Sequence, residues 1–452
     1  MARRALRWPT RREVADVARL AAPIVAVQVG LMFMGVVDAA MLGRVSPVHM
    51  AAGALGNFYW MIVTMVGQGA LQALDPVVAQ AVGARDARAV RHGVQRGLIV
   101  GTLLAVPVSL LLWPAGAALQ ALGQPTEVAG LAGAYARACI PGTLAFFWFS
   151  ALRQTFQAFG RVGPIVATIV LANIANALLD WVLIFGLAGL PALGVLGAAW
   201  ATSLSRWIMC LSLAAIGWRL LRPHIRGSWR QALTWPAIRA MLRIGLPIGV
   251  HQWVEIAAFG GALLLMGRFG TIPLAAHNVT ITIVALTYMV PLGTSAAAAV
   301  LVGHAIGRGD ADGARREASA ALACGVGFMA VSAVVIFTIP ETLVRLFTAD
   351  TAVLALAAQL LPIAAAFQVF DGIQGVSSGI LRGAGDTRVP MLLNVLGFTG
   401  IGLPAAAWFA FGLGFGPPGI WWGLVVCLVA VSAMLAWRVH VRLGDDLRRV
   451  EH

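Results

Sequence analysis

One stretch of this chain occurs twice. Displaced by 224 positions, Leu20-Ala-Ala-Pro23 meets Ile244-Gly-Leu-Pro247, and Gly43-Arg44 meets Gly267-Arg268. The run AVGARD (Ala81 to Asp86) meets AIGRGD (Ala305 to Asp310). Further on the offset becomes 225, so that Gly160 meets Gly385 and Gly194 meets Gly419. Two matched halves of about 225 residues are a duplicated architecture, not a short-period solenoid. Both copies point the same way across a membrane only if each half has an even number of spans, as in transporters built from parallel repeats.

A membrane is where the composition puts the chain. Hydrophobic residues make up 60% of it and charged ones 11%, with a mean hydropathy of +0.86, which no ordinary soluble domain reaches. Apolar runs near the roughly 20 residues of a spanning helix recur throughout. The fold class read from this is an all-α polytopic membrane protein of twelve transmembrane helices in two six-helix lobes. In the first half the spans fall near 20–42, 50–80, 94–114, 128–150, 163–187 and 194–217. In the second they fall near 244–266, 274–300, 317–339, 352–378, 389–411 and 419–438. The domain division is 1–217, a basic linker over 218–238, and 239–452.

The formal net charge of +14 could suggest nucleic acid, but the placement of the charge argues against it. The basic residues are all arginine, and they alternate from gap to gap. The N-terminus holds Arg3, Arg4, Arg7, Arg11, Arg12 and Arg19. The second gap holds Arg85, Arg88, Arg91 and Arg96, and the fourth Arg153 and Arg161. The linker region adds six, and Arg308, Arg315, Arg316, Arg382, Arg388, Arg438, Arg442, Arg448 and Arg449 continue the series. The opposite gaps offer only Arg44, Arg268 and Arg345. This is the positive-inside pattern. It predicts a multi-pass membrane protein with both termini and the linker cytoplasmic, the linker resting on the inner leaflet through Trp218, Trp229 and Trp235 or serving simply as a basic connection. The four cysteines are widely separated within spans, with no metal spacing and no disulfide framework.

Four acids fall well inside apolar runs: Asp38, Asp180, Glu255 and Asp371. Each costs roughly 2.5–3.5 kcal/mol at a helix centre on insertion scales. A proton, a bound cation or a polar cavity must offset that. Asn173, Asn176 and Asp180 form one stripe at i, i+3, i+7. His251, Gln252 and Glu255 form a second cluster, and Gln368, Asp371 and Ser378 a third. Helix–helix glue is the bland reading, and it suits Asn173, His251 and Gln252 better than the carboxylates. Asp75, beside Pro76, reads as a structural cap. Under the repeat shift the acids meet Ala262, Leu31, Phe146 and Ala405, so the halves share a scaffold and not a site. Only Arg137 and Arg206 are cations within apolar runs, and both are long enough to reach an interface. More acids than bases suits cationic cargo. Asp38 and Asp180 in apolar surroundings suit protons, whereas Glu255 and Asp371, with Gln252, Gln368 and Ser378 as oxygen donors, suit sodium.

No enzyme signature survives inspection. There is no P-loop, no HExxH and no GxSxG elbow, and GHAIGRG (Gly303 to Gly309) has no strand before it. The first-span LAAPI…VDAAMLGR, the stretch from Ala73-Leu74-Asp75-Pro76 to AQAVGA, and N-x-x-x-D at Asn176 and Asp180 resemble the multidrug and toxic compound extrusion (MATE) transporters. The likeness covers nearly the whole chain, and Glu255 with Asp371 resembles the bacterial NorM branch. Pro76 departs from the family pattern, in which a Thr would follow the acid. The resemblance implies a V-shaped pair of bundles that open alternately to each side, and lipophilic organic cations exchanged for sodium ions or protons. It implies a second-lobe cation site at Glu255 and Asp371, and a first-lobe network of Asp38, Asn176, Asp180 and Thr202; Thr202 rests on the resemblance alone. It also implies a monomer in the lipid bilayer, with small organic cations as partners, no cofactor and no nucleic acid. The main rival is a flippase for lipids or lipid-linked precursors, which would want an arginine-lined cavity. A facilitator of the other common twelve-helix fold and an intramembrane enzyme fit less well.

Overall fold

The computed structural model describes residues 8–187, 189–444, 447 and 449, and no strand occurs among them. Arg3, Arg4, Arg7 and Arg448, which carry part of the charge pattern, lie outside the described residues. In chain order the helices of the first half are α1 (Arg11–Gly43), α2 (Pro47–Leu71), α3 (Leu74–Gly83), α4 (Ala87–Leu112), α5 (Ala115–Ala121), α6 (Thr126–Ala138), α7 (Ile140–Ala158), α8 (Gly163–Phe185) and α9 (Val195–Ile216). The linker contributes α10 (Trp218–Ile225). The second half holds α11 (Trp235–Gly267), α12 (Thr271–Gly307), α13 (Ala311–Thr338), α14 (Pro340–Arg345), α15 (Thr351–Gly383), α16 (Arg388–Val395), α17 (Leu403–Ala407) and α18 (Pro417–Gly444). Two π-helical segments, Leu396–Gly402 and Trp408–Gly412, flank α17 within one span.

Eleven of the expected spans are met by helices long and apolar enough to cross a membrane. The twelfth, expected over 128–150, is not continuous: it breaks at Cys139 into α6 and α7. Pro141 is the cause, since it has no N–H for the Arg137 carbonyl. The next amide, that of Gly142, turns instead to Cys139 O at 3.1 Å, a tighter i→i+3 bond. Pro76 acts alike between α2 and α3, where Gln72 N–H bonds Gly69 O at 3.0 Å and Asp75 N–H bonds Gln72 O at 3.0 Å. Helix ends also run further than the apolar runs suggest. α1 begins at Arg11, so Arg11, Arg12 and Arg19 are continuous with the first span.

Packing divides the chain into two compact units. One is Ala26–Gly249. The other is Val250–Glu451 together with Met1–Val25. The sequence division falls in the linker, whereas these divisions fall inside α1 and α11. Each lies two residues beyond a helix-internal proline, Pro23 or Pro247, and the 224-residue shift relates them.

The reason is a close helix approach made by small residues. Gly245 and Gly249 stand at GxxxG spacing on α11. A Cβ on Gly245 would run into the Ala70 carbonyl, and one on Gly249 into that of Val66; a Cβ on Gly69 would meet Gly249 itself. The start of α11 therefore packs on α2 in the first-half unit. In the other unit the repeat-related Gly293 of α12 sits against Val25 at the start of α1.

Candidate functional site

The first-half unit brings Asp38 from α1, Asn176 and Asp180 from α8, and Thr202 from α9 into one cluster. α1 approaches α8 at Gly30, where the Asn173 amide donates to the Gly30 carbonyl at 3.1 Å and to Ile169 O at 2.9 Å. That is the structural glue expected of Asn173. Beyond it, the Thr202 hydroxyl lies 3.2 Å from Asp38 Oδ2 and 2.9 Å from Ala198 O, two acceptors for one proton. Asp180 and Asn176 are fully buried. The carboxyls of Asp38 and Asp180 act on each other, and Asn176 acts on Asp38. No protein N–H or O–H donates to either Asp180 oxygen among the described residues.

Arg206 completes this cluster, and its placement corrects the sequence reading. It does not reach an interface. It sits one turn beyond Thr202 on α9, 5% exposed, with its guanidinium carbon 3.4 Å from the Trp60 ring centroid and 5.7 Å from that of Phe146. Trp60 is itself fixed by an indole N–H bond to Thr143 Oγ1 at 3.2 Å. The charge of Arg206 acts on Asp38 through space, without an ion pair to it. Arg137, by contrast, is exposed.

The second-half unit gathers Glu255 from α11, Tyr288 from α12, and Asp371 and Gln374 from α15. Glu255 and Asp371 feel each other's charge, and both act on Tyr288. His251 Nε2 lies 3.6 Å from Glu255 Oε2, one turn away on α11. The Gln374 amide reaches Glu255 and also donates to Asn394 Oδ1 at 3.1 Å, while Asn394 is anchored on Pro390 O at 2.8 Å. Arg382 extends positive charge towards His251 and Tyr288.

Of the expected cavity residues, Gln368 is fully buried, and the polar atoms of Gln368 and Ser378 meet no hydrogen-bond partner. Gln252 is half-buried on α11. The groups that reach Glu255 are His251 and Gln374, while Tyr288 lies within its field. Sequence reading missed Gln374, although it follows Asp371 by three positions and so shares its face. Tyr288 and Asn394 gave no such signal. Asp75 is not itself a cap: Ala73 holds the N-cap position of α3, and Asp75 is a buried acid in the first turn, favourable to the helix dipole.

Comparison with known proteins bears on both halves. The MatE family model matches residues 23–182 and again 247–408, two segments that the repeat shift superimposes. A protein of Mesorhizobium japonicum named "Probable multidrug resistance protein NorM" is 38% identical, over 95% of this chain and 94% of its own. Among solved structures, the eukaryotic MATE transporter AtDTX14 superposes with a TM-score of 0.87 at 23% identity, covering 97% of this chain and 99% of that one. A MOP superfamily transporter of Pyrococcus furiosus, described as having a binding pocket of reverse polarity and a different function, superposes at 0.84 with 20% identity, over 95% of this chain and 96% of that one. At these identities the likeness shows a shared fold. With the family model matched twice and a relative alike along nearly its whole length, this chain belongs to the MATE family of membrane transporters and is not an enzyme.

Proposed function

We propose that the protein is a secondary active multidrug efflux antiporter that exports lipophilic organic cations in exchange for sodium ions or protons by alternating access. The observation that carries this reading is a pair of acids within each unit, one buried and one half-buried: Asp180 with Asp38, and Asp371 with Glu255. The first pair has one arginine in its field, Arg206. There two ionised carboxylates and one guanidinium leave a single negative charge, which one proton or one monovalent cation neutralises. A flippase for anionic lipid-linked cargo would call for the opposite balance.

The sites divide the work. Glu255 and Asp371, with the Gln374 amide oxygen and the Tyr288 hydroxyl, form an oxygen-rich set suited to a hard monovalent cation. Asp38 and Asp180, with Asn176 and Thr202, form a proton site, because two neighbouring carboxyls in apolar surroundings resist ionising together. Gln252, Gln368 and Ser378 are the substrate-cavity candidates. Moving a monovalent drug cation outward against 100 mV works against roughly 2.3 kcal/mol, and one inward cation returns the same amount. Chemical gradients then drive one-for-one exchange.

The deciding experiment uses proteoliposomes and a fluorescent cation. An imposed sodium gradient at constant pH drives uptake, and Glu255→Gln removes that drive. Uptake indifferent to sodium, responsive to a pH step and lost in Asp38→Asn would replace sodium with pure proton exchange. Equal uptake of an anionic lipid-linked cargo would overturn the antiporter reading. The protein acts as a monomer in the bacterial inner membrane with both termini cytoplasmic. Single cysteines at Gly123 and Arg88, on a Cys-free background, then label from opposite sides.

A further inference from the structure

At the arginine-rich end of the first-half unit the chain builds a pocket of about 340 Å³. The turn after α3 gives it Arg85, the turn after α7 gives it Phe159 and Arg161, and α10 gives it Leu220 and His224. Neither Arg85 nor Arg161 has an ion-pair partner among the described residues, and both are exposed. The acid in the wall is Asp86, whose Oδ1 accepts the Ala89 N–H at 3.0 Å as the N-cap of α4. His224 lies tilted against Phe159 with centroids 5.2 Å apart. Burial, and then the charge of Arg91, lower its proton affinity.

The duplication supplies an internal control. Arg85 occupies a left-handed backbone conformation, φ +58°, and is the non-glycine residue among the described ones that does so. Its counterpart in the second half is Gly309, φ +74°, which adopts the same turn without a side-chain penalty. The first half therefore holds an arginine where the turn prefers glycine, and such retained strain points to use of the side chain. Gly160 and Gly385 likewise form one turn twice, with φ of +66° and +74°. After it the first half has Arg161 and the second half Asp386, which is already engaged by Arg438 Nε at 2.7 Å. The same scaffold is thus basic and unpaired in one half, and acidic and paired in the other.

The remaining wall is apolar, with Val82, Val90, Leu220 and Phe159 beside the two guanidinium groups. α10 buries Leu221 while Trp218 and Arg222 stay exposed, as a helix lying in a membrane interface does. We infer that this pocket binds the phosphodiester headgroup of an anionic phospholipid of the inner leaflet, with Arg85 and Arg161 on the phosphate and the first acyl segments along Val90 and Leu220. Arginine suits the role because its planar fork matches phosphate oxygens in pairs. A free phosphate ion offers the same anion but nothing to the apolar wall. The cytoplasmic placement rests on the orientation proposed above; binding itself does not.

The test uses purified full-length protein in a non-ionic detergent, with dioctanoyl phosphatidylglycerol, dioctanoyl phosphatidylcholine and inorganic phosphate as probes. Dissociation constants come from native mass spectrometry or radioligand retention, and melting temperatures from the same samples. The expected result is tight binding and a raised melting temperature with the phosphatidylglycerol alone. Arg161→Asp, which installs the second half's residue, weakens that binding at least tenfold. Arg85→Gly weakens it as well, yet raises the melting temperature of the lipid-free protein because the backbone strain is relieved. Wild-type affinity in both variants would overturn the site. Equal binding of inorganic phosphate or of the phosphatidylcholine would overturn its assignment to an anionic lipid. Should Arg161→Asp fail to fold, Arg161→Gln gives the same reading. Loss of coupled transport in the sodium experiment leaves this binding measurement untouched, so the two proposals fail separately.

Discussion

The two acid clusters sit on one duplicated scaffold and solve the burial of charge in different ways. In the first-half unit, Asp180 receives no hydrogen bond from a protein N–H or O–H, and the nearby cation is clamped face-on to Trp60. In the second-half unit, Glu255 has an imidazole and an amide beside it, and its charge is felt by a phenol. The first arrangement leaves a proton as the natural way to lower the cost of a buried carboxyl. The second supplies oxygen ligands that can replace part of a cation's hydration shell. Duplication thus fixed the helices, and divergence at single positions gave the acids different polar surroundings.

That contrast breaks most visibly if the acids are neutralised one lobe at a time. Asp371→Asn should lower sodium-driven dye export about 100-fold, at the upper end of known coupling free energies, with protein level intact. Asp180→Asn should do the same to proton-driven export while sparing the sodium response. Identical losses under both gradients in both variants would merge the two clusters into one functional unit. Next in size is the clamped cation. Arg206→Gln leaves the first-half acids without their counter-charge and should destabilise the purified protein by about 3 kcal/mol. Trp60→Phe, which weakens the cation–π face, should cost about 1 kcal/mol. His251→Gln in the other cluster should cost less than Arg206→Gln, because Gln374 remains beside Glu255; thermal unfolding in detergent ranks the three. Packing comes after charge. Gly245→Val forces a branched side chain into the Ala70 carbonyl and should cost about 2 kcal/mol, seen as reduced yield of monodisperse protein. The smallest effect belongs to Asn173→Ala, which removes one interhelical bond to Gly30 and should cost about 0.6 kcal/mol with export retained. A collapse of export in that variant would bring Asn173 into the proton network.

The architecture was legible in the sequence because its signals are local and repeated. Hydropathy locates a span without reference to its neighbours, and the 224-residue shift needs only identity of glycines and prolines. The acids stood out because a carboxylate in an apolar run is costly wherever the run packs. What surrounds them was less legible. A hydropathy window treats Arg137 and Arg206 alike, since nothing in it says which face of a helix meets lipid; one proves exposed and the other lies under a tryptophan. Gln374 was within reach of the helical period, but Tyr288 and Asn394 enter from other helices, and their place around this cluster depends on crossing geometry. The break at Cys139 was foreshadowed by Pro141, though apolar length alone ran straight through it.

The exchange of helix ends at Val25 and Gly249 has a consequence for how the protein is made. The groove on α2 around Gly69 is complete only when Gly245 and Gly249 have emerged, roughly 180 residues later. At ribosomal speeds of about 5–20 residues per second that is a wait of about 10–40 s. The N-terminal turn up to Val25 waits longer still, for Gly293. Through that interval the nascent first bundle presents an unfilled seam to lipid or to the insertion machinery. A gene cut at the linker would therefore not yield two self-sufficient halves: each product would leave behind a piece that the other's bundle needs, and only co-expression would restore both.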